Sequence, residues 1–565
     1  MTAVASTAER YLRQLGARGV DYLFGNAGTD AAPLIEAYAK CDAQGIAVPT
    51  PILATHENLA LSMAHGYAMV SGKLPSAFVH VSVGTANAAC AVMNAARENV
   101  PILFTAGRTP IYEDDTVGSR DSFIHWGQEM FDQASLVREF VKWDYELRGG
   151  AQVDTVVDRA VSIAMSEPRG PVYLSLPREV LAEPYNGKAD APPPLASALP
   201  PRPNAAGIAE AARILAAAER PLIVTGNCGR DTDAFERLAA FAEQFAIPVV
   251  QHRSRYLPLP SDHPMHLGFE PAGIIEEADA VLVLESDIPW VPKLSPLKAG
   301  CKAIHVGHDP LHGRIPIRGF QCDLALTCGT SAMLDELSPA MQEICSEDQI
   351  AARHQWVAAE RQKLHEKRAR FLKGVSKSHP IHPAWVSHCI DQVKGDDAIG
   401  INEYTLMTDY CEFRQAGTYF GSSSASGLGW GMGAALGAKL ADPERLVFCV
   451  QGDGAYLFSN PVAGHYASSQ HKLPVLFVVV NNGMWNAVRA ATLKVYPDGV
   501  ASSANQNALT MLDGLPAFEE VCRAAGGYGE RVEDPDELPA ALHRALKAVR
   551  EEGRQALLNV ICQPR

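Results

Sequence analysis

Short runs of apolar and β-branched residues alternate along this chain with longer stretches whose apolar positions recur at helical spacing. The runs Ala77–Val81, Ile102–Thr105, Pro221–Gly226, Ile247–Gln251, Ala280–Glu285, Leu446–Gln451, Val475–Val480 and Ala556–Cys562 stand out. That alternation predicts parallel strands joined by crossover helices. Residues 1–20 read as a capped amphipathic helix rather than a secretion leader. Pro184–Asn204, dense in Pro and small residues, predicts an extended linker. A second α/β stretch closes near Leu337, and a charged helical segment, Ile350–Lys373, leads to Pro380–Pro383. The expected fold class is therefore α/β, with three domains at 1–184, 205–340 and 365–565, each a parallel sheet flanked by helices. Internal repeats are not evident in the residues.

Composition narrows the function. The chain has 565 residues, 47% hydrophobic and 20% charged, which is ordinary for a globular α/β enzyme. Its formal charge of -15, with no local basic cluster, would repel phosphate backbones and anionic lipid, so neither nucleic acid nor a membrane is expected as a partner. No apolar run reaches the roughly 20 residues a spanning helix needs. Twelve Cys occur without a C-x-x-C, and Cys90, Cys301 and Cys449 lie in apolar surroundings. Buried reduced thiols and a cytoplasmic location follow as expectations.

The chemistry gathers at strand ends. Leu446–Gln451 empties into Gly452-Asp453-Gly454-Ala455, and Val475–Val480 into Asn481-Asn482-Gly483, with residues 455–480 between the motifs. Open α/β sheets bind ligands at the carboxyl ends of their strands, and glycines there let the backbone approach a diphosphate. Asp453 and the Asn482 amide oxygen are hard ligands suited to Mg²⁺, and the Met484 backbone carbonyl would add a third. A lone Gly-Asp-Gly is more often a turn; the pair on neighbouring strands is more specific.

With these motifs the sequence resembles the thiamine diphosphate enzyme superfamily, in which Gly-Asp-Gly followed by Asn-Asn is the cofactor fingerprint. The stretch Leu436–Ala455, Pro443 included, is similar to the longer family signature. The resemblance runs over essentially the whole chain, in the order pyrimidine-binding, middle and diphosphate-binding domain, as in benzoylformate decarboxylases and acetolactate synthases. It implies thiamine diphosphate and Mg²⁺ as cofactors, and a homodimer or homotetramer with active sites shared between subunits. Glu57, in Thr55-His56-Glu57-Asn58 with Gly66-Tyr67-Ala68 downstream, resembles the acid that activates the cofactor pyrimidine. Outside that setting, a Glu opening a helix is usually only a dipole partner. In Ser423–Trp430, Leu428 corresponds to the apolar wedge between the cofactor rings, and the Ser426 carbonyl to the group orienting its amino nitrogen.

The substrate side departs from any one branch. Phe24-Gly25-Asn26-Ala27-Gly28-Thr29, placed after a short strand, resembles the family loop with Ala27 in place of Pro, and Thr29 matches a substrate-binding Ser. His80, in His80–Thr85, matches a catalytic His of benzoylformate decarboxylases; a packed histidine closing the strand Ala77–Val81 is an equal reading. The second catalytic His falls on Pro292, and the His pair of pyruvate decarboxylases is absent, His125-Trp126 being its nearest approach. Trp485 would wall the pocket. The middle stretch lacks a clean G-x-G-x-x-G, which leaves bound FAD open. The leading expectation is a decarboxylase or carboligase acting on a 2-oxo acid, with an aldehyde as product or acceptor. A 2-hydroxyacyl-CoA lyase taking an acyl-CoA is the alternative enzyme. A catalytically silent binding or regulatory subunit is the alternative of another class.

Overall fold

The computed structural model describes residues 6–187, 193–504 and 507–564. All three of its sheets are parallel. The first has β1 (Tyr22–Asn26), β2 (Thr50–Leu53), β3 (Ser76–Val79), β4 (Leu103–Arg108), β5 (Asp144–Glu146) and β6 (Val172–Pro177), in the order β2-β1-β3-β4-β6-β5. The second has β7 (Pro221–Thr225), β8 (Val249–Val250), β9 (Ala280–Leu284), β10 (Lys302–Gly307) and β11 (Leu324–Thr327), in the order β11-β10-β9-β7-β8. The third has β12 (Ile399–Glu403), β13 (Tyr419–Gly421), β14 (Val447–Gly452), β15 (Leu476–Asn481), β16 (Tyr528–Val532) and β17 (Ala556–Ile561), in the order β13-β12-β14-β15-β17-β16. Helices cover both faces, which is why central strands such as β15 are buried at every position and read as unbroken apolar runs.

The first and third sheets repeat one strand order, a duplication invisible in the residues themselves. Each reverses direction between its first and third strands, and that switch point is where open sheets take ligands. In the first sheet the reversal lies between the ends of β1 and β3; in the third, between Glu403 and Gly452. The helices that follow the second strand of each, Glu57–Ser71 and Trp430–Ala441, cross backbone to backbone. A Cβ on Gly66 would lie 2.0 Å from the Ala434 carbonyl oxygen, and one on Gly437 would lie 1.9 Å from that of Met63. One apolar core, containing Phe24, Tyr67, Trp430 and Phe477, runs through this crossing and joins the two sheets. The middle sheet has its own core around Leu282 and Phe241.

Several expectations are corrected. The strand expected to run to Val81 ends at Val79, and His80 is the N-cap of the helix Val81–Arg97. The cause is the Asp30 carboxylate, which accepts the Val81 N–H at 3.2 Å and ends the ladder. Phe24, Gly25 and Asn26 belong to β1 rather than to the loop after it. Cys301 and Cys449 are buried, but Cys90 is exposed on the helix Val81–Arg97. The linker is extended and exposed over residues 193–202, and its residues 188–192 lie outside the described residues. No helix among the described residues is long and apolar enough to cross a membrane.

Candidate active site

The third sheet delivers Gly-Asp-Gly and Asn-Asn to adjacent strand ends. Asp453 opens a short helix and is only 3% exposed. Its Oδ1 accepts the Gly454 N–H at 2.7 Å, and its Oδ2 accepts those of Asn482 and Gly483 at 3.1 and 2.7 Å. Burial pushes the carboxyl above its ordinary range against these backbone donors. A buried carboxylate in that state suits a cation. The Asn482 Oδ1 accepts the Met484 N–H at 3.0 Å and keeps a lone pair free. Among the described residues no group of three His, Cys, Asp or Glu is placed to hold a metal by itself. Trp485 lies across the motif: a Cβ on Gly454 would come within 2.1 Å of its ring, so only glycine admits the indole there.

At the matching edge of the first sheet stand Glu57 and His80. Glu57 opens its helix behind the N-cap His56, is 8% exposed, and accepts from the Asn87 carboxamide at 3.2 Å. His80 is held by three neighbours. Its Nδ1 donates to Asp30 Oδ1 at 2.6 Å, its Nε2 faces the Gln128 carboxamide at 3.2 Å, and its ring fills the space that a Cβ on Gly28 would occupy, 2.2 Å from Nδ1. Hydrogen bonding to Asp30 raises the imidazole above its ordinary range against the cost of burial, and the nearby Glu57 charge adds to the rise. The Gln128 Oε1 is buried without a protein partner, so a turn of that amide would present N–H to the neutral ring and oxygen to the protonated one. Val81, next in the chain, has φ +32, a conformation β-branched residues avoid, at a cost of order 1–3 kcal/mol.

A third element joins β13 to the helix Trp430–Ala441. In this loop Ser426 is exposed with φ +57, and Leu428 is half-buried. Glu403, 1% exposed at the end of β12, accepts the N–H groups of Gly429, Trp430 and Gly431 at 2.7, 3.2 and 2.9 Å, and burial pushes its carboxyl up to about 7.

Thr29 and Ala27 are exposed beside Asp30, and Asn26 ends β1. His125 is not brought to His80. It is buried in its own turn, where Nδ1 accepts the Asp121 N–H at 3.2 Å and burial lowers its pKa, and Gln128 makes the contact instead. Pro292 is exposed. Asp30, Asn87, Gln128 and Glu403 were not singled out from the sequence. None of them carries a local sequence signal, since even Glu403 closes a strand whose polar residues hide it from the apolar pattern.

Three family models match the chain in order: the thiamine pyrophosphate enzyme N-terminal TPP binding domain over residues 5–136, the central domain over 208–337 and the C-terminal TPP binding domain over 400–560. The chain belongs to the thiamine pyrophosphate enzymes. It is 27% identical to a benzoylformate decarboxylase of Pseudomonas aeruginosa over 97% of this chain and 98% of that one. To the acetolactate synthase large subunit of Haemophilus influenzae it is 24% identical, over 96% and 92%. Among solved structures of thiamine pyrophosphate enzymes, a 4-hydroxybenzoylformate decarboxylase from Rhodococcus jostii superposes with a TM-score of 0.79 at 23% identity, covering 99% of this chain and 100% of the other, which shows the shared fold.

Proposed function

We propose that this enzyme cleaves or forms the bond beside the carbonyl of a 2-oxo acid, with thiamine diphosphate and Mg²⁺ bound. The observation carrying this reading is the placement of Glu57 and His80 at one switch point, close enough for the charge of one to act on the titration of the other. Bound thiamine diphosphate supplies an electron sink for the carbanion left when such a bond breaks. The chain's own residues divide the remaining work. Asp453, the Asn482 amide oxygen and the Met484 carbonyl would hold the metal against the diphosphate. Glu57 would hold a proton at the pyrimidine nitrogen, and Leu428 and the Ser426 carbonyl would shape the bound cofactor. His80, with Nδ1 committed to Asp30, would use Nε2 for proton transfer or for a substrate carboxylate in place of its contact with the Gln128 carboxamide, and the Thr29 hydroxyl would be a further substrate contact. Asn26, Ala27, Trp485 and the loop carrying His125 would bound the pocket.

The hydrogen bonds of Glu57 and of Asp453 are each made within their own sheet. Phe458, exposed, meets Trp485 edge to face at 5.6 Å between ring centroids. Both features favour an assembly in which a second copy completes each site. Retention of Glu57, Asp453 and Asn482 weighs against a silent subunit.

The test pairs two variants. Glu57→Gln is expected to fold and bind cofactor while turnover of a 2-oxo acid panel falls by about 10²–10⁴, and Asp453→Ala to lose metal-dependent cofactor binding in equilibrium dialysis. Turnover near wild type in both, in cofactor-depleted buffer, would refute the assignment.

A further inference from the structure

The loop between Gly421 and Trp430 has no strand or helix of its own, yet side chains from all three sheet units hold it. Asn94, 2% exposed on the helix Val81–Arg97, engages a single residue of the loop twice. Its Nδ2 donates to the Gly427 carbonyl at 2.9 Å, and its Oδ1 accepts the Gly427 N–H at 3.0 Å. The Asn94 carbonyl accepts from Ser423 Oγ at 3.3 Å. The approach is so close that a Cβ on Gly427 would lie 2.6 Å from Cys90 Sγ and 2.8 Å from the Asn94 amide. From the middle unit, Asp287 Oδ2 accepts the Ser424 hydroxyl at 2.6 Å. Asp287 is itself fixed by Arg255, which donates to both its oxygens at 2.8 and 2.6 Å. Burial pushes that carboxyl up, but the Arg255 charge and hydrogen bonds outweigh it and hold the group well below its ordinary range.

We propose that Asn94 and Asp287 are positioning residues, which set from two other units of the chain the height and tilt of the loop that presents Leu428 and the Ser426 carbonyl. This rests on the functional reading above, in which those two groups shape the bound cofactor. The bonds fall on Ser423, Ser424 and Gly427, immediately before and between the presenting residues, and Glu403 fixes the loop's exit at Gly429. Losing one clamp leaves the cofactor's diphosphate anchor at Asp453 untouched and lets the wedge drift. A misplacement of about 1 Å in such a site costs on the order of 10²-fold in rate.

The experiment measures, on holoenzyme, both cofactor affinity and the rate at which the C2 proton of bound thiamine diphosphate exchanges with deuterium after rapid quench. Asn94→Ala and Ser424→Ala are compared with Leu428→Ala, which sets the scale. Ser424→Ala removes the Asp287 contact without leaving Arg255 buried and unpaired. Cofactor Kd is expected to stay within about threefold, while C2 exchange falls by about tenfold or more in each variant. Ser424→Thr, which keeps the hydroxyl, is expected to restore most of the rate. Exchange at the wild-type rate in both alanine variants overturns the proposal, as does a loss that merely follows cofactor occupancy, since that is what plain inter-unit glue would give. Should Asn94→Ala fail to fold, Ser424→Ala decides alone. A wild-type enzyme that binds no thiamine diphosphate would instead overturn the functional reading beneath it.

Discussion

Asp30 accepts from His80 at 2.6 Å and also caps the helix that follows, so one carboxylate sets both the orientation of the ring and its charge. His80 is raised in the folded protein above its ordinary value of about 6.5. The pair's contribution to stability is therefore fully present below that pH and fades as pH rises through the folded value. Asp30→Asn is expected to lower the His80 titration, followed by NMR, by about one pH unit or more, and to flatten the stability profile in the window above 6.5. An unshifted titration would remove Asp30 from the site. His80 and Glu57 were legible in the sequence because each stands at the end of an apolar run, where strand chemistry is exposed to ligand. Asp30 was not, because its partner lies 50 positions away and nothing in the local pattern marks it.

Among elements, the crossing of Glu57–Ser71 with Trp430–Ala441 makes glycine a packing requirement rather than a matter of backbone freedom. At Gly437 the obstructing atom is a backbone carbonyl 1.9 Å from the would-be Cβ, which no rotamer change relieves. Gly437→Ala is expected to cost about 1–3 kcal/mol or more in urea unfolding. Gly374→Ala, at a helical position with nothing within 4 Å, is expected to be neutral or to stabilise by up to about 1 kcal/mol. Equal changes at the two positions would show that the crossing yields. The central strands were legible because burial on both faces leaves an unbroken apolar run. β12 was not, since its sequence Ile-Gly-Ile-Asn-Glu carries polar groups into the interior. There Asn402 bonds the Leu406 N–H and carbonyl at 3.0 and 3.1 Å, and Glu403 caps the helix beyond the loop. Satisfied in this way, polar side chains break the pattern without breaking the strand.

Over the whole molecule, the parallel-sheet fold class and the cofactor family were readable because Gly452-Asp453-Gly454 falls at a switch point that the fold class itself dictates. The repeated strand order was not, because topology constrains which residues are buried far more than which residues they are. That repetition places His80 after the third strand of one half and Asp453 after the third strand of the other, at equivalent stations with unrelated chemistry. On the proposed reading, in which a second copy completes each site, the chain contributes two dissimilar half-sites, and a lesion in one leaves the other whole. When a Glu57→Gln subunit pairs with an Asp453→Ala subunit, one composite site collects both defects and the second collects neither. Co-expressing two inactive variants is thus expected to return about half of wild-type sites in the mixed dimer isolated by tandem-tag purification, or about a quarter over the unfractionated mixture at random pairing, read as turnover. Such complementation between dead partners is what separate ownership of the two halves entails; a site completed within one chain would give none.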